Sequence, residues 1–430
     1  MTDLSEFELR EQDHTDLFGI FLGVHAVPGT VLFLHTTIGC KFKTQMHLVE
    51  HDWFRESHNQ RLWTGVDDVR LIAGSGQRLI EFATSWYERR RPSLAVITTN
   101  AAVGLSDLDV EQAVEELRRR LPCPVILLKA PGYIGSIQRG YKRFLEAVLA
   151  LLDWDRTPKP NRVAIVGYVF DRYERDHAAN LREIQRLLES LGLDLSATMF
   201  GGQPLDRLKI SVPEASTIAL FPLAHDLQIP GGRQEVQVPM PLGLRGTSQF
   251  LYAVGEAAGV DRNLIESVVE REMRRAVPAI AKAASHLEDL RVGVFLDSPM
   301  AEAVTAFLLD LGVEVPFVSL TDPAGADESR FRERVSRLAP PGSPLPQTVL
   351  CGASRNQAVR KFLEVASEVP IPVVVGSAFH RAVFRRRLIS VVELGFPAAG
   401  KHAIYPTPFL GFNGAVALTQ RILDAAFGAF

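Results

Sequence analysis

The residues best placed to do chemistry lie in one run, His35-Thr36-Thr37-Ile38-Gly39-Cys40-Lys41-Phe42. It closes the apolar segment Thr30-Val31-Leu32-Phe33-Leu34, whose β-branched and aromatic content and short length predict a buried strand. Gly39 lets the backbone turn sharply at the strand exit, so the Cys40 thiol can leave the sheet. Helical periodicity from Thr44 to Phe54 places Cys40 near a helix N-terminus, where free N–H groups favour thiolate over thiol. Such a cysteine is prepared to bind a metal or to react, although a lone cysteine also serves as a small buried hydrophobe. His47 and His51, at i and i+4, raise the alternative of a zinc site, which lacks a second cysteine at useful spacing. Elsewhere, His225-Asp226 follows a predicted strand exit and could donate protons, imidazole titrating near neutrality; a surface loop pair is the plainer alternative. His380 and His402 lie at comparable exits, and the basic run from Arg381 to Arg387 reads as a solvated or partner-binding face.

The elements that must position these residues alternate from end to end. Short apolar strands are expected at Leu94–Thr98, Pro124–Leu128, Arg162–Val166, Thr217–Phe221, Arg291–Phe295, Thr348–Leu350 and Pro372–Val375. Amphipathic helices fall between them at Val110–Leu121, Ile137–Leu152, Ala178–Leu191, Leu264–His286 and Met300–Leu311, with Gly192 and Gly312 as helix-ending glycines. The alternation predicts an α/β fold of mostly parallel sheets with crossover helices. At 430 residues the chain exceeds one ordinary domain. The proline-bearing linker Asp155 to Asn161 and the helix end near Glu288-Asp289 divide it into 1–160, 161–288 and 289–430, the last ending in a helix.

Composition narrows the class. The chain is 47% hydrophobic and 23% charged, as expected of a globular protein with a large core, and its net charge of −3 argues against a nucleic-acid partner. No apolar run is long enough to span a membrane and the acidic start does not read as a targeting segment, so a cytoplasmic protein without a membrane partner is expected. Cys40, Cys123 and Cys351 are too far apart for a disulfide framework, and the latter two sit in apolar runs as core residues would. Neither GxGxxG nor GxxxxGK[ST] occurs, so the chain is not expected to bind a nucleotide by those means.

Four stretches, in order, resemble the nitrogenase component 1 superfamily. Gly39-Cys40 followed by His47-Leu48-Val49-Glu50-His51 is similar to the cluster-ligand loop and following helix of β-type subunits. Ala95 to Asn100 with Gly104-Leu105-Ser106-Asp107 resembles the family's strand and acidic loop. Pro131-Gly132-Tyr133-Ile134-Gly135-Ser136 with Gly140-Tyr141 is similar to a third element, and Leu394-Gly395-Phe396-Pro397 with Gly411-Phe412-Asn413-Gly414-Ala415 to the closing one. The resemblance implies three Rossmann-like domains and a β-type subunit paired with an α-type subunit in a heterodimer or heterotetramer. It also implies that Cys40 is a metal ligand. Where nitrogenase subunits carry three cluster cysteines, the other two positions fall near Thr15 and at Asn100. The single cysteine is similar instead to β-type subunits that share a bridging [4Fe-4S] iron-sulfur cluster with a partner supplying three cysteines. The implied activity is that of a reductase, electrons arriving from a separate ATP-dependent iron-sulfur protein and passing to a substrate cavity near His225 and Asp226. The implied alternative is a scaffold subunit on which a metallocofactor is assembled without turnover.

Overall fold

The computed structural model describes residues 15–37, 61–99, 103, 107–130, 135–169, 174, 176–322, 327–385, 387–395 and 405–428. Three parallel sheets carry the chain, and most of the described connections between strands run through a helix, as an α/β sequence pattern leads one to expect.

The first sheet has the order β2-β1-β3-β4, formed by β1 (Thr30–His35), β2 (Arg61–Trp63), β3 (Leu94–Thr99) and β4 (Val125–Lys129). Side chains of a strand point alternately to its two faces, and here both faces are covered. Phe33 and Ile97 pack toward α3 (Gly76–Arg90) and α4 (Asp107–Arg120), while Leu32, Leu34 and Val96 face α1 (Asp16–His25) and α5 (Ile137–Leu149). The short α2 (Asp68–Ala73) lies between β2 and α3. The helices α1 and α5 cross so closely that a Cβ on Gly19 would lie 1.9 Å from the Ile137 carbonyl oxygen, and one on Gly140 would lie 1.8 Å from that of Asp16. Only glycine fits at either position.

The second sheet, β6-β5-β7-β8, contains β5 (Lys159–Val166), β6 (Asp194–Thr198), β7 (Ala215–Leu220) and β8 (Gln234–Gln237), with α6 (Asp176–Ser190) and α7 (Leu205–Ser211) as connections. Its β5 begins at Lys159, inside the stretch expected to be a linker, and absorbs Pro160 and Asn161 through a register shift before Val163. Two helices follow, α8 (Gly243–Ala257) and α9 (Arg262–Ala284).

The third sheet is β11-β10-β9-β12-β13: β9 (Arg291–Leu296), β10 (Glu314–Leu320), β11 (Thr348–Leu350), β12 (Val373–Gly376) and β13 (Ser390–Glu393). Its helices are α10 (Ser298–Asp310), α11 (Glu328–Leu338), α12 (Arg355–Glu368), α13 (Ala378–Phe384) and the closing α14 (Gly411–Phe427). The sequence did not signal β10, because Pro316 interrupts it; the pairing with β9 shifts register between Glu314 and Phe317, which accommodates the missing N–H. Gly192 and Gly312 follow their helices with φ of 74° and 77°, as C′ glycines do.

The cores are continuous across units. Ala164 and Val166 of β5 share a core with the first sheet, and Phe144 stacks on Phe200 at 5.0 Å. Val163 and Ile165, on the opposite face, join the core of the third sheet. Among the described residues no helix is long and apolar enough to cross a membrane.

Candidate functional site

Parallel strands present all their carboxyl ends on one edge, where ligands of α/β sheets bind. In the first sheet that edge is pinned from beneath. His35, the last residue of β1, is fully buried, its Nδ1 2.8 Å from Thr64 Oγ1 and its Nε2 2.8 Å from Ser75 Oγ. Burial pushes the imidazole down to about 4, so the ring is neutral, one nitrogen donating to a hydroxyl and the other accepting from one. Ser75 and Gly76 in turn donate their backbone N–H groups to one oxygen of Asp109. One step beyond, Val66 N donates to Thr36 O at 3.0 Å, and Thr37 pairs with Val66. The chain therefore leaves β1 at Thr37 from a rigid anchor.

Cys40, His47, His51 and Asn100 lie outside the described residues. Thr15 is described. It precedes α1, is 5% exposed, and its hydroxyl has no hydrogen-bond partner among the described residues. Beside it, Gly135 has φ +89°, and a Cβ added there would lie 3.0 Å from the Asp16 side chain, so glycine suits the position. Burial holds the Asp16 carboxyl above the usual range although Arg143 lies 3.3 Å away. Cys123 is buried in the first core and Cys351 is half-buried, and burial raises both thiols. Among the described residues no three His, Cys, Asp or Glu side chains converge as a metal site.

A second feature lies where the three units meet. A cavity of about 360 Å³ opens at the carboxyl ends of β5, β9, β10 and β12, closed from the first unit by Leu22, Ile137 and Gln138. Its volume is at the small end of the range for organic ligands. Leu22, Leu223, Met240, Phe409 and Leu410 supply an apolar wall. Several polar groups interrupt it, two sets of which are linked by hydrogen bonds.

The first is a chain of buried groups. Asn180 Nδ2 donates to Tyr168 Oη at 3.2 Å, so the phenol proton is directed to His177 Nδ1, 2.6 Å away. That acceptor role leaves the His177 proton on Nε2, which donates to Glu174 Oε2 at 3.1 Å. Burial holds the Tyr168 phenol well above its usual range, so it stays neutral.

The second is Asp297, the N-cap of α10, whose neighbour Asp322 holds Ser298 without itself lining the cavity. Asp297 accepts from Met300 N at 3.2 Å, capping the helix, while Asp322 accepts from Ser298 N at 3.0 Å and Ser298 Oγ at 2.8 Å. Burial, and then the neighbouring Asp322, push Asp297 up to about 6. A carboxyl so adjusted can hold or release a proton near neutral pH.

The sequence candidates are dispersed. His225 Nε2 donates to Val238 O at 3.0 Å and its pKa is lowered, chiefly by burial. Asp226 turns outward to Lys142 at 2.5 Å, its side chain 74% exposed. Neither lines the cavity, whereas His380 does. Gln138, Tyr168, His177, Asp297 and Arg355 went unmarked in the sequence; the usable signal was polar residues directly after apolar strands, as in Phe295-Leu296-Asp297.

Comparison with known proteins gives a consistent picture. The model of the nitrogenase component 1 type oxidoreductase family matches residues 17–426. The nitrogenase molybdenum-iron protein beta chain of Rippkaea orientalis is 22% identical over 438 residues, covering 95% of this chain and 82% of that one. That of Bradyrhizobium diazoefficiens is 24% identical over 431 residues, covering 93% and 80%. Among solved structures, nitrogenase Cp1 at pH 6.5 superposes with a TM-score of 0.79 at 16% identity, over 97% of this chain and 93% of that one.

Proposed function

This chain belongs to the nitrogenase component 1 type oxidoreductase family, and we propose that it is the β-type subunit of a nitrogenase-like reductase, paired with an α-type subunit. The observation that carries the reading is the match along nearly the whole chain, from residue 17 to residue 426, joined to relatives named as beta chains. The donor set at the first sheet's edge is that of a contributor rather than a sole holder. By the resemblance, one cluster-cysteine position of full nitrogenase subunits falls near Thr15, and a hydroxyl is a poor iron ligand beside thiolate. Within the reading, Cys40 is this chain's ligand and the partner provides the remaining thiolates. A [4Fe-4S] cluster so held supplies one-electron storage, with an ATP-dependent iron-sulfur protein as the external donor. The chain's own residues do the rest. His35 fixes the strand exit from which the Cys40 segment departs, and Asp297 offers the inter-unit cavity a carboxyl that can take up or release a proton near neutral pH.

The test is iron and acid-labile sulfide analysis of the chain co-purified with its α-type partner. About four irons per pair are expected, and Cys40→Ser should lose most of them while the far-ultraviolet circular dichroism is unchanged. Iron content and redox spectrum unaffected by Cys40→Ser would overturn the assignment. A complex that keeps its iron but passes it to an apo-acceptor, with no substrate reduced, would be a scaffold instead.

A further inference from the structure

The inter-unit cavity is unevenly charged. Two carboxyl groups line it, Asp297 from the third unit and Glu174 from the second, and Asp322 adds a third beside Asp297. Among the described residues none of the three pairs with a lysine or an arginine. Asp297 meets only neutral donors, Met300 N at 3.2 Å and the Gln138 side chain. Glu174 is 8% exposed; its Oε2 takes the His177 proton, and its Oε1 takes no hydrogen bond among the described residues.

Little on the opposite side of the ledger offsets these groups. Arg355 is the one arginine or lysine among the described lining residues, and it is engaged elsewhere, its guanidinium carbon 4.1 Å from the centre of the Phe379 ring, which does not line the cavity. His380, held neutral at about 3 by burial and by Arg355, brings no positive charge. The N-terminus of α10 favours a carboxylate, but that partial charge is shared, since Asp322 accepts from Ser298 N in the same turn that Asp297 caps. Asp297, raised only to about 6, is still mostly ionised at neutral pH. The cavity therefore carries a net negative wall, and burial strengthens its pull on a cation.

We propose that the cavity is a binding site for a small amphiphilic organic cation, a primary amine whose ammonium meets Asp297 and whose apolar body lies against Leu22, Leu223, Met240 and Phe409. The volume of about 360 Å³ suits such a molecule, and the apolar wall supplies affinity that a charge pair alone does not. The aromatic faces of Tyr168, Phe295 and Phe409 suit a cation as well. A bare metal ion is the poorer fit, because among the described residues no three potential ligands converge and an apolar wall offers hard cations no oxygen. The proposal stands apart from the electron-transfer reading, since it concerns binding and is measured whether or not iron is present.

The probe is 4-phenylbutylamine, compared with 4-phenylbutanol and 4-phenylbutyrate by titration calorimetry at neutral pH on the full chain in its purified complex. The amine should bind about tenfold or more tighter than the alcohol, the ratio expected of a charge-assisted contact, and the acid should bind more weakly than the alcohol. Asp297→Asn, which keeps a helix cap, should weaken the amine about tenfold and leave the alcohol within about twofold, the retained alcohol binding showing that the variant is folded. Leu223→Trp, which fills the apolar side, should weaken amine and alcohol alike. Absence of saturable amine binding in the millimolar range, equal affinities for amine and alcohol, an acid that binds as tightly as the amine, or an Asp297→Asn variant that binds the amine as before would each overturn the proposal.

Discussion

Replacing Gly140 with alanine tests whether the crossing of α1 and α5 sets the geometry of the first unit. The new Cβ would sit 1.8 Å from the Asp16 carbonyl oxygen, 2.5 Å from its carbon and 2.7 Å from its Cα, while ordinary contact begins near 3.4 Å. The helices must therefore part by about 1.6 Å, because the obstacle is backbone and no rotamer relieves it. Overpacked core sites cost about 1–3 kcal/mol when side chains can yield, and a backbone obstacle belongs at or above the upper end of that range. Parting the helices also loosens Tyr141 and Phe144, which rest on Phe200 of the second unit at 5.3 and 5.0 Å. The assay is hydrogen exchange by mass spectrometry on peptides from 16–25 and 137–149. A loss of about 3 kcal/mol predicts exchange faster by roughly a hundredfold in both peptides, with the third sheet unchanged. Gly23→Ala, which meets only the Phe144 ring at 2.3 Å, should accelerate exchange less. If Gly140→Ala leaves both peptides protected, or the two variants behave alike, the backbone contact is not what holds the helices in place.

Two further outcomes follow from buried polar groups. Asn180 is fully buried and its Oδ1 accepts from Phe409 N at 2.8 Å and Leu410 N at 3.1 Å, so Asn180→Leu strands two amides, costs about 2–5 kcal/mol, and should make the segment before α14 a site of early proteolysis, which an unchanged digestion pattern would exclude. The pKa of His35 is lowered in the fold from 6.5 to about 4, so its contribution of roughly 3 kcal/mol is present above pH 6.5 and vanishes as pH falls through 4. Glu302, raised by burial to about 7, acts with the opposite sign, its contribution present below 4.5 and lost as pH rises through 7. His35→Leu should accordingly be less stable at neutral pH and lose stability less steeply than the parent between pH 6.5 and 4; equal slopes in urea titrations would refute the assignment.

The fold was legible wherever a strand was uninterrupted and buried on both faces. Leu94–Thr99 and Arg291–Leu296 exceed their expected ends by one residue, because a run of apolar residues between polar turns leaves few alternatives. The edge strands β2, β6, β8 and β13 went unmarked, and the strands carrying proline were unmarked or shortened. Pro316 concealed β10, although it pairs with both β9 and β11, and Pro160 made the start of β5 resemble a linker. In both places the ladder tolerates the missing donor by shifting register, an adjustment made by the partner strand that leaves no trace in local sequence.

The two candidate sites differ in legibility for a related reason. The edge of the first sheet is written locally, a strand, a glycine and a cysteine within a dozen residues, so the sequence drew attention to it directly. The cavity is assembled from Gln138, His177, Asp297, Arg355 and His380, separated by as many as 242 positions and drawn from all three units. Each has an ordinary local role that masks the other: Asp297 caps a helix, Arg355 opens one, and His380 closes a capping box. What makes them a site is that successive parallel strands deliver their following residues to a common edge, and that shared cores turn the edges of the second and third sheets toward each other. A residue that caps a helix at such an edge is thereby fixed in direction, so stability and ligand contact are demanded of the same side chain. Substitutions there that preserve the cap, such as Asp297→Asn or Ser377→Thr, therefore separate the two roles better than alanine does, since alanine removes cap and cavity group together.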